Sequence, residues 1–441
     1  MSEYADIYVK KLSIVSFRNY LEQNVVNLFF SKDDLNVIPE CKIDSEEDES
    51  YTQYIYKTTV KKAKERLDAQ GFSISNFEKL FNRYLSQAVD YSKFLYKLEI
   101  DYDDYDDYYD IAISRIKSRI TFKKWKNAMH KIITHQIKNG TIYSYTIENQ
   151  IPLTTECDKI IYHSLTDFNS ESVYGIFTEF IDAAYIYRLI LESCEANDDI
   201  ILDFSNLRYW DSDCIFKALS PTEEVEKTIV LVEGTSDKDI LEFSMKQFYP
   251  HLFELFYFMD FNDVNGGKRD AGASYLIKNL KTFYFSKLKS KFIAVFDNDA
   301  EGYSSKCTLL NEIKNWPDNF KILLYPEIRE FRKYPTLAPN GKIMLDDINK
   351  KACSIELYLP DKLIKKNELY LPIEWESRKK IKYEDGSERF FYQGVISKKE
   401  DIKNEFHQLR KDIENGKKKF INEDWNRMKQ LLDNIVFAFV K

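Results

Sequence analysis

Glycine and proline are scarce in this chain, with 12 and 10 in 441 residues, so extended low-complexity or linker-like stretches are not expected outside short acidic runs. Cysteine is equally sparse. Cys41, Cys157, Cys194, Cys214, Cys307 and Cys353 stand singly, with no Cys-x-x-Cys pair and no histidine arrangement that would complete a zinc site, which fits reduced thiols in a cytoplasmic protein. No run of about eighteen apolar residues occurs, and the opening MSEYADIYVKK lacks the charged-then-apolar order of a signal peptide, so neither membrane spanning nor secretion is expected. A G-x-x-x-x-G-K-[ST] loop is also missing. The nearest string, NGGKRD, lacks the first glycine and the hydroxyl residue, which leaves ATP hydrolysis without support in this chain. No internal repeat is apparent.

Apolar residues make up 44% of the chain and aromatics 15%, enough for two or three domains with cores of their own. The net charge of −8 is unevenly spread: from Asp361 onward Lys and Arg number 19 against 15 Asp and Glu. This tail is basic at Arg378-Lys379-Lys380, Lys398-Lys399 and Lys417-Lys418-Lys419. Such clusters permit phosphate contact, although each reads equally as a solvated helix face.

Between Tyr4 and Phe30 the apolar runs IYVKKLSIVSF and VVNLFF read as two strands or a hairpin, followed by an acidic loop at Asp44 to Glu49. From about Tyr54 to Asn139 the apolar spacing becomes helical, and Asn139-Gly140 stops the last helix. Another helix at about Tyr174 to Glu195 precedes a short strand, IILDFSNL. The polar KALSPTEEVEK, Lys217 to Lys227, marks a boundary. Beyond it strands and helices alternate: IVLV, a helix over SDKDILEFSMKQFY, LFYFMDF, a turn at Gly266-Gly267, a helix at Ala273 to Thr282, FIAVF, a helix at Ser304 to Asn315, and FKILLY. That order predicts a parallel sheet covered on both faces. The expected layout is a mainly helical α+β N-terminal domain over 1–217, an α/β domain with a parallel central sheet over 228–345, and a mixed, locally basic α/β extension over 346–441.

Two segments carry the chemistry. IVLVEGTSD (Ile229 to Asp237) and FIAVFDNDAEG (Phe292 to Gly302) are apolar runs that end abruptly in carboxylates and a glycine. Buried parallel strands deliver such residues to the carboxyl edge of a sheet, where ligands collect. If Glu233, Asp297 and Asp299 converge there, they suit a hard divalent cation that keeps waters and phosphate oxygens as its other ligands, and hence phosphoryl transfer on nucleic acid. Asp237 falls in the first turn of the following helix, where it would assist the metal or merely favour the helix dipole. An EF-hand reading of DNDAEG fails, because its twelfth position is Thr308 and a buried strand precedes it.

These segments resemble a Toprim domain, the metal-binding module of topoisomerases, primases and a group of nucleases. Glu233-Gly234 matches its first signature and Asp297-x-Asp299 its second, over about Thr228 to Tyr325. VEGTSD with DNDAEG looks closer to overcoming-lysogenization-defect-type nucleases and their relatives than to topoisomerases. The resemblance implies an Mg²⁺- or Mn²⁺-dependent nuclease in which Asp297 and Asp299 hold metal and Glu233 holds metal or acts as general acid and base. The opening EYADIYVKK and the helical half resemble bacterial HEPN/Toprim-associated proteins, implicated in defence against phage and other foreign nucleic acid. SIELYLP resembles the acidic segment that follows Toprim in such nucleases, which makes Glu356 a candidate metal ligand. YQGVISKK resembles a segment whose lysine stabilises phosphate charge, with Lys398 in that place.

One departure stands out: no histidine follows an arginine at the four-to-six-residue spacing of active HEPN ribonucleases, so a HEPN-like half would scaffold, dimerise or sense. The implied partner is DNA or RNA. A homodimer and a separate ATPase or trigger protein are compatible with the pattern. A topoisomerase would need a larger strand-gating architecture, and a primase a zinc region. The rival from another class is a sensor or interaction module that binds nucleic acid or metal without catalysis. The tract LEIDYDDYDDYYD, Leu98 to Asp110, suits a basic partner less well than it suits a solvated helix start.

Overall fold

The computed structural model describes residues 3–43, 46–83, 121–139, 181–209, 226–259, 272–382 and 387–440. Two compact units emerge, one of residues 1–225 with 440–441 and one of residues 226–439. The tract at Leu98 to Asp110 and the Gly266-Gly267 turn lie outside the described residues. Among those residues no helix is long and apolar enough to cross a membrane.

The first unit is built on an antiparallel sheet of five strands: β1 (Tyr4–Val9), β2 (Leu12–Arg18), β3 (Leu35–Ile43), β4 (Glu46–Thr59) and β5 (Asp199–Asp203), in the order β2-β1-β5-β4-β3. The expected hairpin is β1 and β2, paired from Tyr4 with Arg18 to Val9 with Leu12. VVNLFF is not a strand; it lies in helix α1 (Gln23–Phe29), which buries Val26 and Phe29 three residues apart on one face. The helical reading from Tyr54 is also corrected. Tyr54 to Thr59 is the end of β4, held by Ile55 to Thr59 pairing with Asp199 to Asp203 far along the chain. Helix α2 (Val60–Ala69) begins where Thr59 accepts a hydrogen bond from the Lys62 amide.

Helix α3 (Phe122–Asn139) buries Phe122, Trp125, Met129, Ile132 and Ile133, and ends at Asn139 as the sequence implied. Helix α4 (Ala183–Glu192) is capped by Asp182, and the part of the expected helix before residue 181 lies outside the described residues. Its Arg188 grips Asp68 of α2 with two hydrogen bonds, 2.7 and 3.1 Å, a forked geometry that fixes the two helices against each other.

The second unit carries the parallel sheet. Strands β6 (Thr228–Leu231), β7 (Phe256–Met259), β8 (Phe292–Phe296) and β10 (Phe320–Leu324) run in the order β10-β8-β6-β7, every pair parallel. All five residues of β8 are buried, as a central strand covered on both faces requires. Helices α5 (Thr235–Phe248), α6 (Ala273–Phe285) and α7 (Ala300–Glu312) connect these strands. Between β8 and α7, the two-residue strand β9 (Asn298–Asp299) pairs with β13 (Ala352–Cys353).

A second sheet, β12-β11-β16-β17, is made of β11 (Tyr334–Leu337), β12 (Ile343–Asp346), β16 (Ile373–Lys382) and β17 (Glu388–Ile396). Helix α8 (Asp361–Ile364) leads through a minor hairpin, β14 (Lys365–Lys366) with β15 (Leu369–Tyr370), into β16. Helices α9 (Lys399–Glu414) and α10 (Asn426–Val436) close the unit. Residues 346–439, set apart as an extension on the sequence, thus share one compact unit with the parallel sheet.

Candidate metal centre

Register brings the two motifs together. β6 and β8 are neighbours, with Ile229, Val230 and Leu231 opposite Phe292, Ile293 and Ala294, so the chain beyond each strand emerges at the same edge. The Asp297 amide there donates to Glu233 Oε1 at 3.1 Å. Gly234 caps α5 in extended backbone, φ −154°, which any residue adopts. A Cβ at this position would sit 3.1 Å from Asp237 Oδ2, a tight contact with the end of that side chain. Gly302 is tighter still: a Cβ there would lie 2.2 Å from the Asp297 carbonyl oxygen.

Each residue of Asp297-Asn298-Asp299 has its own task. Asp299 caps α7, accepting from the Gly302 amide at 2.7 Å through Oδ1 and from Gln393 Nε2 at 2.7 Å through Oδ2. Gln393 Oε1 in turn accepts from the Glu301 amide at 3.0 Å. Asn298 is fully buried and faces away from the acidic edge. It accepts from the Lys350 amide at 2.9 Å and donates to Asn349 Oδ1 at 3.3 Å, fastening the motif to the segment that leads to β13. Asp297 is left as the free carboxylate; its Oδ1 is buried with no hydrogen-bond partner among the described residues. Such an atom is costly to bury unless something positive meets it.

The β9–β13 pairing, Ala352 with Asp299 and Cys353 with Asn298, carries the chain on to Glu356 in a single 3₁₀ turn, Ile355–Tyr358. Glu356 is only 1% exposed. Ser354 Oγ donates to its Oε2 at 2.6 Å, and Lys399 Nζ lies 3.4 Å from the same oxygen. Lys398, the lysine singled out on the sequence, is exposed and holds a left-handed backbone, φ 59°, at the cap of α9. Its neighbour Lys399 reaches the acidic residues. Tyr325, buried at the end of β10, donates to Asp237 Oδ1 at 3.4 Å.

The electrostatics reflect one shared negative field. Burial first, then Asp299, pushes the Glu233 carboxyl up to about 8. Burial and Glu356 push Asp237 up to about 7, against the pull of Lys399 and Lys403. Asp297 is raised well above the carboxylate range by burial and by Glu233, Asp237 and Asp299. Asp299 is raised by burial, against its bonds from Gly302 and Gln393. Lys399 is lowered by burial but raised more by Glu356, Asp297 and Asp237, so it stays charged.

Among the described residues, no three His, Cys, Asp or Glu side chains form a ready-made metal shell. The carboxylates share a neighbourhood and a charge excess without a closed coordination sphere. The donor set nevertheless fits a hard divalent cation, because it is all carboxylate oxygen and includes the unpartnered Asp297 Oδ1, with the charges of Lys399 and Lys403 too few to balance it.

Sequence reasoning missed Gln393, Lys399 and Tyr325. Gln393 and Lys399 lie in YQGVISKK itself, but only the fold shows that the strand presents Gln393 to Asp299 and the helix presents Lys399 to Glu356. No curated protein and no solved structure matches the chain. Residues 1–210 match the family model of HEPN/Toprim N-terminal domain 1, and this supports the HEPN/Toprim-associated family toward which the sequence pointed.

Proposed function

We propose that the chain is a divalent-metal-dependent nuclease, related to overcoming-lysogenization-defect-type nucleases, that cuts phosphodiester bonds of DNA or RNA in defence against foreign nucleic acid. The observation that carries the proposal is the unpartnered Asp297 Oδ1 beside Glu233 at the carboxyl edge of a parallel sheet. The matched N-terminal family hints at a nuclease-like role for the same chain.

Asp297 and Asp299 would hold Mg²⁺ or Mn²⁺, with Glu233, Asp237 and Glu356 next to them. A bound divalent cation would supply Lewis acidity toward a phosphate oxygen and lower the pKa of a bound water. The residues do the rest. Glu233, pushed up to about 8, is suited to take a proton from an attacking water and to return one to a leaving oxygen near neutral pH. Lys399 carries positive charge to the phosphate, and Glu356, itself held by the Ser354 hydroxyl, keeps it in place. Gln393 fixes Asp299 on α7 and so sets where its remaining lone pairs point. Contacts of this kind are to phosphate and impose no base sequence.

The test is cleavage of plasmid DNA, single-stranded DNA and transfer RNA by the full chain with Mg²⁺, Mn²⁺ or chelator, beside folded Asp297→Asn. Metal-dependent cutting lost in the variant is the expected result. Equal behaviour of the two proteins on every substrate would overturn the proposal in favour of a non-catalytic binding module.

A further inference from the structure

The hairpin β16–β17 has two unlike faces. Its inner face is fastened to the carboxylate site: Gln393 holds Asp299 and the Glu301 amide, Lys379 pairs with Glu301 at 3.2 Å, and the Phe391 ring lies 6.2 Å from Tyr303 of α7. Strand alternation then sends the residues between these to the other side. Arg378 sits opposite Tyr392 and Lys380 opposite Phe390, while a bulge between Trp375 and Ser377 returns Trp375 to the same face.

That outer face is a ladder of rings and cations in solvent. Phe390 is 62% exposed and Tyr392 50%. The Arg378 guanidinium lies 4.9 Å from the Tyr392 ring centre and 5.8 Å from that of Phe390, and Trp375 lies 6.0 Å from Tyr392. Two large rings left in water beside a planar cation form a surface on which unpaired bases stack, while Arg378 meets the backbone phosphates; Lys380 is paired with Glu388 at 2.6 Å. The whole hairpin, Ile373 to Ile396, holds five Lys and Arg against five Asp and Glu, so the exposed rings beside the Arg378 guanidinium, and not an excess of charge, favour a stacked single strand.

We infer that the outer face of the β16–β17 hairpin binds a single-stranded segment of nucleic acid and, through Gln393 and Lys379 on its inner face, holds that strand in fixed relation to the carboxylate site. This rests on the phosphodiesterase reading for what the strand is delivered to. Duplex DNA keeps its bases stacked on one another and offers the rings nothing, so the arm selects unpaired strands or frayed ends.

The test is fluorescence anisotropy of a labelled oligothymidylate and of a duplex of the same length, with the full chain in chelator at fixed low salt. Wild type is compared with Phe390→Ala, Tyr392→Ala and the double variant, whose thermal midpoints should match wild type because both rings are exposed. Single-strand affinity should fall about tenfold for each ring removed, with duplex affinity little changed. Unchanged single-strand affinity in the double variant would overturn the inference, and so would equal loss on both ligands, the mark of a charge effect alone. Binding is read without metal, so the outcome holds whether or not the wild type cuts. Failure of the nuclease reading shows separately, as absence of metal-dependent cleavage by the wild type.

Discussion

Replacing Asp297 by asparagine keeps the shape of a buried carboxylate and removes its charge. Glu233 and Asp237 have folded pKa values of about 8 and about 7, above their ordinary 4.5 and 3.8. The stability each contributes is therefore full below the ordinary value and is lost as pH rises through the folded one. Moving one carboxyl from 4.5 to about 8 corresponds to about 5 kcal/mol at most. The repulsion is mutual, and removing the Asp297 charge should return about 1–3 kcal/mol of it above about pH 8. In a unit of about 200 residues each kcal/mol moves the midpoint by about 2–4 °C. Calorimetry in chelator should therefore find the two proteins alike near about pH 5 and Asp297→Asn the more stable near about pH 8. Divalent metal in about hundredfold excess over its Kd should then stabilise the wild type by about 2.7 kcal/mol, and the variant much less. A variant as steeply destabilised by rising pH as the wild type, or stabilised equally by metal, would refute the shared-field argument.

Three further substitutions separate position from chemistry. Gly302→Ala places a Cβ 2.2 Å from the Asp297 carbonyl oxygen, where neither backbone can yield cheaply; a loss of about 3 kcal/mol or more in a melt, together with loss of cleavage, is expected, and a stable active variant would contradict it. Lys399→Met should slow cleavage about 10²-fold, whereas Lys398→Met on the surface should leave the rate unchanged; the reverse order would return the role to Lys398. Gln393→Leu should weaken Mn²⁺ binding about 10–100-fold by freeing Asp299, and unaltered binding would show that the α7 cap alone suffices.

The parallel sheet was legible in the sequence because FIAVF and IVLV are uninterrupted apolar runs, each ending in a carboxylate at the point where the strand leaves the core. Glu233 and Asp297 were legible for the same reason, since adjacent parallel strands in register must end side by side. What was not legible depends on distant pairing. Tyr54 to Thr59, YIYKTT, is rich in aromatic and β-branched residues that favour a strand, but it runs without a break into the helical spacing of α2, and its pairing with Asp199 to Asp203 lies far along the chain. VVNLFF is a short apolar run that periodicity alone cannot assign, and burial of Val26 with Phe29 makes it a helix. Glu356 came only from resemblance, because a two-residue ladder with β9 is what carries its segment to the acidic edge. Lys399 and Gln393 needed the second sheet and α9 to be placed before either acquired a partner. Gly234 was visible as a motif, but the close approach of Asp237 Oδ2 to it was not.

On the proposed reading, the carboxylates at the ends of β6 and β8 bind a divalent cation. Electron paramagnetic resonance of Mn²⁺ titrated into the full chain at about pH 8 tests it most directly, since bound ion leaves the free signal and none needs to be inferred from cleavage. Saturable loss of that signal in the wild type, abolished in Asp297→Asn and displaced by Mg²⁺, is the predicted result. Titration curves that coincide for wild type and variant would contradict the account.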